Sequence, residues 1–223
     1  DWKDRNLTKA VTTGQGSSGD TDVIFLKGIG QKHQGLEIEG SMKLNDMIRL
    51  DGAVSFGKWK FDGDADGLYT EYAEDAPIQT AYTYTLDGLY VGDQPQTAYV
   101  LGTTLTPMDG LRLQGIFKMY DKNYADWSPD SRELSGDADR SQVWQAPAYN
   151  RLDLHAAYKL PKIAGYDMTL TGHLFNALDA VYVQDAVDNS QYNGFGDKLH
   201  LAHNAEVFLG TPRYFNLGLS VNF

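Results

Sequence analysis

Asp62-Gly63-Asp64-Ala65-Asp66-Gly67 repeats the D-x-D-x-D-G spacing of a calcium-binding loop, and Glu71 follows it. Alternate carboxylates ending on a glycine suit calcium: the hard cation takes several oxygen ligands, and the glycine permits the sharp turn between them. The pattern makes Asp62, Asp64, Asp66 and Glu71 candidate ligands. The twelfth position, where a bidentate Glu closes such loops, is Ala73, and Glu74 comes one residue late. A solvated acidic loop tip following a strand accounts for the same residues.

His200 and His203 stand three apart and could hold a metal or a chelate, although a polar surface loop explains them more simply. His33, His155 and His173 fall in different segments, and no metal-site spacing links them. Cysteine is absent, which removes disulfides, thiolate metal sites and cysteine nucleophiles. The chain has no G-x-S-x-G, no G-x-x-x-x-G-K-[ST] phosphate loop and no H-E-x-x-H, so neither a catalytic residue nor a cofactor is expected. A net charge of −11 disfavours nucleic acid as a partner.

The elements that would position these residues read as strands. Phe215, Leu217, Leu219, Val221 and Phe223 alternate with Asn216, Gly218, Ser220 and Asn222. Leu152, Leu154, Ala156, Tyr158 and Leu160 alternate with Arg151, Asp153, His155, Ala157 and Lys159, and Leu36, Ile38, Gly40, Met42 and Leu44 with Glu37, Glu39, Ser41 and Lys43. Period two places one set on an apolar face and the other on a polar face. Less regular segments of similar length fall near 47–60, 96–106, 111–122 and 166–176. Such segments are about double the usual globular strand and match the ~9–11 residues that a tilted strand needs to cross a bilayer.

Short turns at Asn45-Asp46, 107–110 and 161–165 alternate with long polar connections at about 62–95, 123–148 and 177–210. That asymmetry belongs to outer-membrane barrels, whereas compact soluble domains seldom carry several long loops. A closed antiparallel sheet satisfies every backbone group in hydrocarbon and leaves no edge. Polar alternates such as Glu37, Glu39, Arg151 and Asp153 would then line the interior, together with His155 and His173. Trp59, Phe61, Tyr120, Tyr124 and Trp127 would form the interfacial girdle.

Leu209-Gly210-Thr211-Pro212-Arg213-Tyr214-Phe215, running on to Phe223, resembles the C-terminus of TonB-dependent outer-membrane receptors, with its Gly-x-Pro-Arg turn and terminal aromatic strand. The stretch from His173 to Tyr182 resembles the family's penultimate-strand motif, with Ala177 and Leu178 where Leu and Phe are usual. Val91-Gly92-Asp93-Gln94-Pro95-Gln96 resembles the rim segment before a descending strand, and Gly35-Leu36-Glu37-Ile38-Glu39 a characteristic strand start.

The resemblance implies an all-β fold, a transmembrane antiparallel β-barrel of which residues 1–223 are the C-terminal section. That section holds seven strands, with Asp1 to Asp4 ending an eighth, out of 22. The plug domain and TonB-engaging segment would lie upstream, as would the export leader, since Asp1-Trp2-Lys3-Asp4-Arg5 does not begin one. It implies residence in the Gram-negative outer membrane, in contact with its lipid, and energised uptake of a scarce nutrient: an iron–siderophore chelate first, cobalamin or a glycan otherwise. The implied partners are TonB–ExbB–ExbD, through the upstream part, and the barrel-assembly machinery, which would read Phe215, Leu217, Leu219, Val221 and Phe223. A small passive porin- or adhesin-like barrel of about eight strands is the alternative, and a soluble β-rich enzyme or lectin is a third.

Overall fold

The computed structural model describes residues 2–11, 22–72, 77–128, 132, 139–162, 165–188 and 199–222. Seven long strands follow the alternating segments: the inner half of β2 (Asp22–Lys43), β3 (Ile48–Phe61), β6 (Thr97–Met108), β7 (Leu111–Asp121), β10 (Tyr149–Lys159), β11 (Asp167–Phe175) and β14 (Tyr214–Asn222). They pair antiparallel in the order β14-β11-β10-β7-β6-β3-β2. The sheet is open: among the described residues, β14 has a ladder partner on one side only.

The register turns the sequence alternation into a continuous two-faced wall. One row runs Ile38, Val54, Tyr99, Met119 and another Gly40, Gly52, Leu101, Phe117, Leu152. Across β10, β11 and β14 it continues through Leu154, Leu174 and Phe215 and through Tyr158, Leu170 and Leu219. This face lies open: Ile38 is 57% exposed, Leu101 55% and, on the same face of β14, Leu217 73%. An apolar face this broad is stable only in contact with lipid or a partner.

At one end the strands join by tight turns. Asn45 Oδ1 accepts hydrogen bonds from the Met47 and Ile48 amides, both at 2.9 Å, closing the first. Gly110 takes φ +80° in the second. At the other end the long connections carry strands of their own. These are β4 (Ala65–Tyr72) and β5 (Pro77–Tyr84), β8 (Asn123–Tyr124) and β9 (Gln145–Ala146), and β12 (Val183–Val187) and β13 (Glu206–Leu209).

β2 spans both regions. Its 22 residues would reach about 70 Å at ~3.3 Å each, far beyond the apolar band of a barrel. Its outer half pairs with β1 (Trp2–Val11) on one side and β4 on the other, and its inner half with β3. The change of partner occurs at Gly28, with φ +69°, and Gly30, where a Cβ would lie 2.5 Å from the Asp62 carbonyl oxygen. A side chain is excluded there by backbone, not by preference.

The buried apolar core lies among the long connections, not between the spanning strands. Ile24, Leu26 and Ile29 of β2 pack with Phe61, Ala65, Tyr84, Leu86, Leu89, Trp127 and Val143. This corrects the aromatic girdle expected from sequence. Phe61 and Trp127 are buried in that core, 6.4 Å apart edge to face. Trp59 and Tyr120 lie on the polar face by register, against His33 and Tyr149. Tyr124 stacks on Tyr90 in the loops.

Candidate functional site

The polar face of the wall and the loop layer above it meet at a network centred on Asp153. Asp153 and Arg151 share a face of β10 by alternation, and Lys118 is brought opposite Arg151 by the β7–β10 register. Asp153 is buried and held by Lys118 at 3.0 Å and Arg151 at 3.7 Å, and its other oxygen accepts the Asn176 amide at 2.9 Å. A buried carboxylate survives because two cations and a backbone donor replace its water.

Asn176 continues the network into the last long connection. Its φ of +47° turns the chain at the end of β11, its carbonyl oxygen Oδ1 accepts the Ala180 amide, and its Nδ2 donates to the Ala180 and Thr211 carbonyls. Tyr182 then returns over the wall, its hydroxyl 3.1 Å from Arg151 and its ring stacked on Tyr149 with centroids 4.4 Å apart. Gly210 permits this, since a Cβ there would lie 1.9 Å from the Tyr182 ring. Arg213 closes the loop on Asp179 through its amide at 3.1 Å and its guanidinium at 3.6 Å. The motif that resembled a penultimate strand and the Gly-x-Pro-Arg turn are therefore two halves of one clasp.

Within the roof a second charged cluster ties separate loops. Arg132 is fully buried, its guanidinium 3.6 Å from buried Asp188 and 3.8 Å from Asp139, and it donates to the Ser141 carbonyl at 2.7 Å. His200 sits between the two carboxylates, bonded to Asp188 through Nδ1 and to Asp139 through Nε2 at 2.5 Å. Burial alone would depress the imidazole, but its hydrogen bonds to Asp188 and Asp139 outweigh that and raise its pKa. For Asp139 burial works upward, yet the Ser141 amide and His200 carry the net shift below the ordinary carboxylate value. Elsewhere in the roof, burial, with Tyr90 beside it, pushes the Tyr124 phenol up to about 12.

The candidate calcium ligands do not gather. Asp64 is taken by Arg140 through two contacts of 2.9 and 2.7 Å and caps the Leu86 and Asp87 amides at 3.1 Å. The Arg140 hydrogen bond is the main reason its carboxyl lies below the ordinary value. Asp62 is exposed beside the turn, Asp66 of β4 accepts from Thr83 of β5, and Glu71 lies five positions further along β4, hence on its opposite face. Among the described residues, no three His, Cys, Asp or Glu side chains converge on a point that could hold a metal. The sequence pattern is instead the start of a strand whose first carboxylate anchors a loop.

His200 and His203 also part company. His200 lies in the buried cluster and His203 is exposed, which corrects their reading as a plain surface loop. Conversely, His155 and His173, unlinked by any sequence spacing, are direct cross-strand partners with Nδ1 atoms 2.9 Å apart. Their common polar parity was visible in sequence, but the register that unites them was not. Phe215, Leu217, Leu219 and Val221 lie on the apolar side of the edge strand β14, and Phe223 lies outside the described residues.

A family model described as the β-barrel of TonB-dependent receptors matches residues 4–177. The chain belongs to that family. A search of the curated proteins found no match. In a TonB-dependent receptor barrel the apolar face is the lipid-contacting exterior, the polar face the lumen, and the tight turns the periplasmic rim. The Asp153 network thus joins lumen wall to extracellular roof, and the Arg132 cluster lies in the roof. The clasp formed by Tyr182 and Gly210 lies C-terminal to the matched residues.

Proposed function

We propose that residues 1–223 form the C-terminal section of a 22-stranded outer-membrane transporter that imports a scarce, large nutrient with energy delivered through TonB. An iron–siderophore chelate is the leading substrate; cobalamin and glycans are the alternatives. The observation that carries this reading is the roof: two long connections share a buried core with β2, and buried ion pairs tie the third to them, above a polar lumen wall. A passive pore has little use for so much ordered structure over its mouth, whereas capture from dilute solution needs a preformed concave surface with placed polar groups.

TonB–ExbB–ExbD would act through the part of the transporter upstream of these residues. The barrel-assembly machinery would read β14, where Phe215, Leu217, Leu219 and Val221 present an apolar face on an edge strand, with Phe223 at its end. Phe223→Ala tests that part: normal outer-membrane yield would refute it. For transport, a strain lacking the gene is grown on single iron chelates as sole iron source, with and without functional TonB. Loss of growth on one chelate when the gene is deleted with TonB intact, and on the same chelate when TonB is removed with the gene intact, supports the proposal. Unchanged uptake of every chelate, of cobalamin and of glycans, or uptake that persists without TonB, would overturn it.

A further inference from the structure

We propose that His155 and His173 form a two-histidine clasp for a divalent transition-metal ion of the copper(II) or nickel(II) type on the lumen wall. The pair lies midway down the wall, directly opposite one another on β10 and β11, both half-buried and both on the polar face. Nδ1 faces Nδ1 at 2.9 Å with the rings inclined by 60°. Two imidazole nitrogens bound at ~2.0–2.1 Å and at right angles lie about 2.9 Å apart, as in a square-planar or tetragonal centre; a tetrahedral centre would need roughly 3.3 Å. The observed separation, now spanned by a hydrogen bond, equals that of two cis imidazole nitrogens on copper(II) or nickel(II), so a metal would replace the bridging proton once the rings reorient, without the strands moving apart.

The surroundings fit an imidazole-bound ion and not a hard one. Gln114 is the register partner of His155 on β7 and Asn216 that of His173 on β14, so the neighbours on either side of the pair are neutral amides. The nearest carboxylate, Asp153, is already committed to Lys118, Arg151 and the Asn176 amide, which leaves calcium or magnesium without the oxygen ligands they require. Phe175 packs against both imidazoles and stacks on Tyr214, fixing the rings from the extracellular side. In the unbound pair one ring donates its Nδ1 proton to the other. On binding, that proton moves to Nε2, so both neutral rings ligate without net proton release.

The site requires that the polar face be the water-filled lumen, and it is independent of which nutrient the transporter carries. The test uses the full-length receptor folded in detergent, titrated with copper(II) alone and followed by electron paramagnetic resonance and calorimetry. The expected result is one tetragonal copper(II) showing coupling to two nitrogens. His155→Asn and His173→Asn should each weaken binding about tenfold or more and abolish the two-nitrogen pattern, while heat-modifiable gel mobility stays that of the folded barrel. A receptor that takes up no copper(II) at micromolar concentration overturns the proposal. So does one whose bound copper keeps its couplings in either variant, since the metal would then sit elsewhere. Growth on iron chelates, measured separately, reports on transport and is not expected to follow the copper site.

Discussion

Trp127 is the largest fully buried side chain of the roof, 1% exposed, packed against Phe61 and Tyr84. Removing about 200 Å² of aromatic surface from contact corresponds to roughly 5 kcal/mol at ~25 cal/mol per Å². The figure is an upper bound, because opened loops still shield part of it. Measured Trp-to-Ala losses in cores run at about 3–5 kcal/mol. Since the core lies outside the spanning sheet, Trp127→Ala should lower the opening free energy of the loops and leave the barrel wall unchanged.

Hydrogen exchange in detergent reads this amide by amide. The Thr85 amide, bonded to the Arg132 carbonyl at 2.7 Å, and the Ala125 amide, bonded to the Trp144 carbonyl at 2.8 Å, report on the roof. Both should exchange roughly 100- to 5,000-fold faster in Trp127→Ala, at ~1.4 kcal/mol per tenfold. Amides within the β7–β10 ladder should keep their rates, and Trp127→Phe should fall between. Equal acceleration of loops and wall would show that the roof is not a separate cooperative unit, and an unaffected Thr85 would refute the core assignment.

Leu101→Arg on the lipid face should cost about 2–4 kcal/mol of folding free energy in vesicles, whereas Ser55→Arg, facing Glu37 in the lumen, should cost little; equal losses in urea titrations would invert the assignment of faces. Gly210→Ala forces a methyl into the Tyr182 ring and should destabilise the last connection by about 1–3 kcal/mol, with partial rescue in the Gly210→Ala/Tyr182→Leu double variant measured by loop proteolysis. The raised pKa of His200 stabilises the loop cluster fully below the unfolded histidine value near 6.5 and less as pH rises through the folded value. The lowered pKa of Asp139 contributes above the unfolded carboxylate value near 4 and is lost as pH falls through the folded one. Loop proteolysis should therefore be slowest between about pH 4 and 6.5, faster at pH 9, and flat across the alkaline side in His200→Gln.

The spanning strands were legible in sequence because each meets two different solvents, and alternation records that directly. Leu152 to Tyr158 and Phe215 to Val221 lie in the structure on the face that parity assigned them. The outer half of β2 was not legible. Ile24 and Leu26 are buried on one parity, Gly28 shifts the phase with its positive φ, and Ile29 is buried on the other, so no single period spans 22–31. Phe61 and Trp127 were misplaced for a related reason: an aromatic at a strand end fits an interface or a core equally, and only the folded connections decide. Asp62 to Gly67 showed the limit of spacing alone, since a turn followed by a strand spreads carboxylates that a calcium loop would gather.

The double life of β2 has a mechanical meaning. A single hydrogen-bonded ribbon continues from the periplasmic turn through the wall into the roof, with its ladder partners exchanged at Gly28 and Gly30 but its covalent line unbroken. Anything that grips the roof, whether a nutrient, an antibody fragment or a phage tail fibre, takes hold of a stave of the barrel itself. Tension applied there runs along the strand axis, where backbone resists stretching, and not across the ladder, where it could unzip. The joint at the two glycines is the compliant point, a wrist between hand and arm, and bending should concentrate there while the register below it holds.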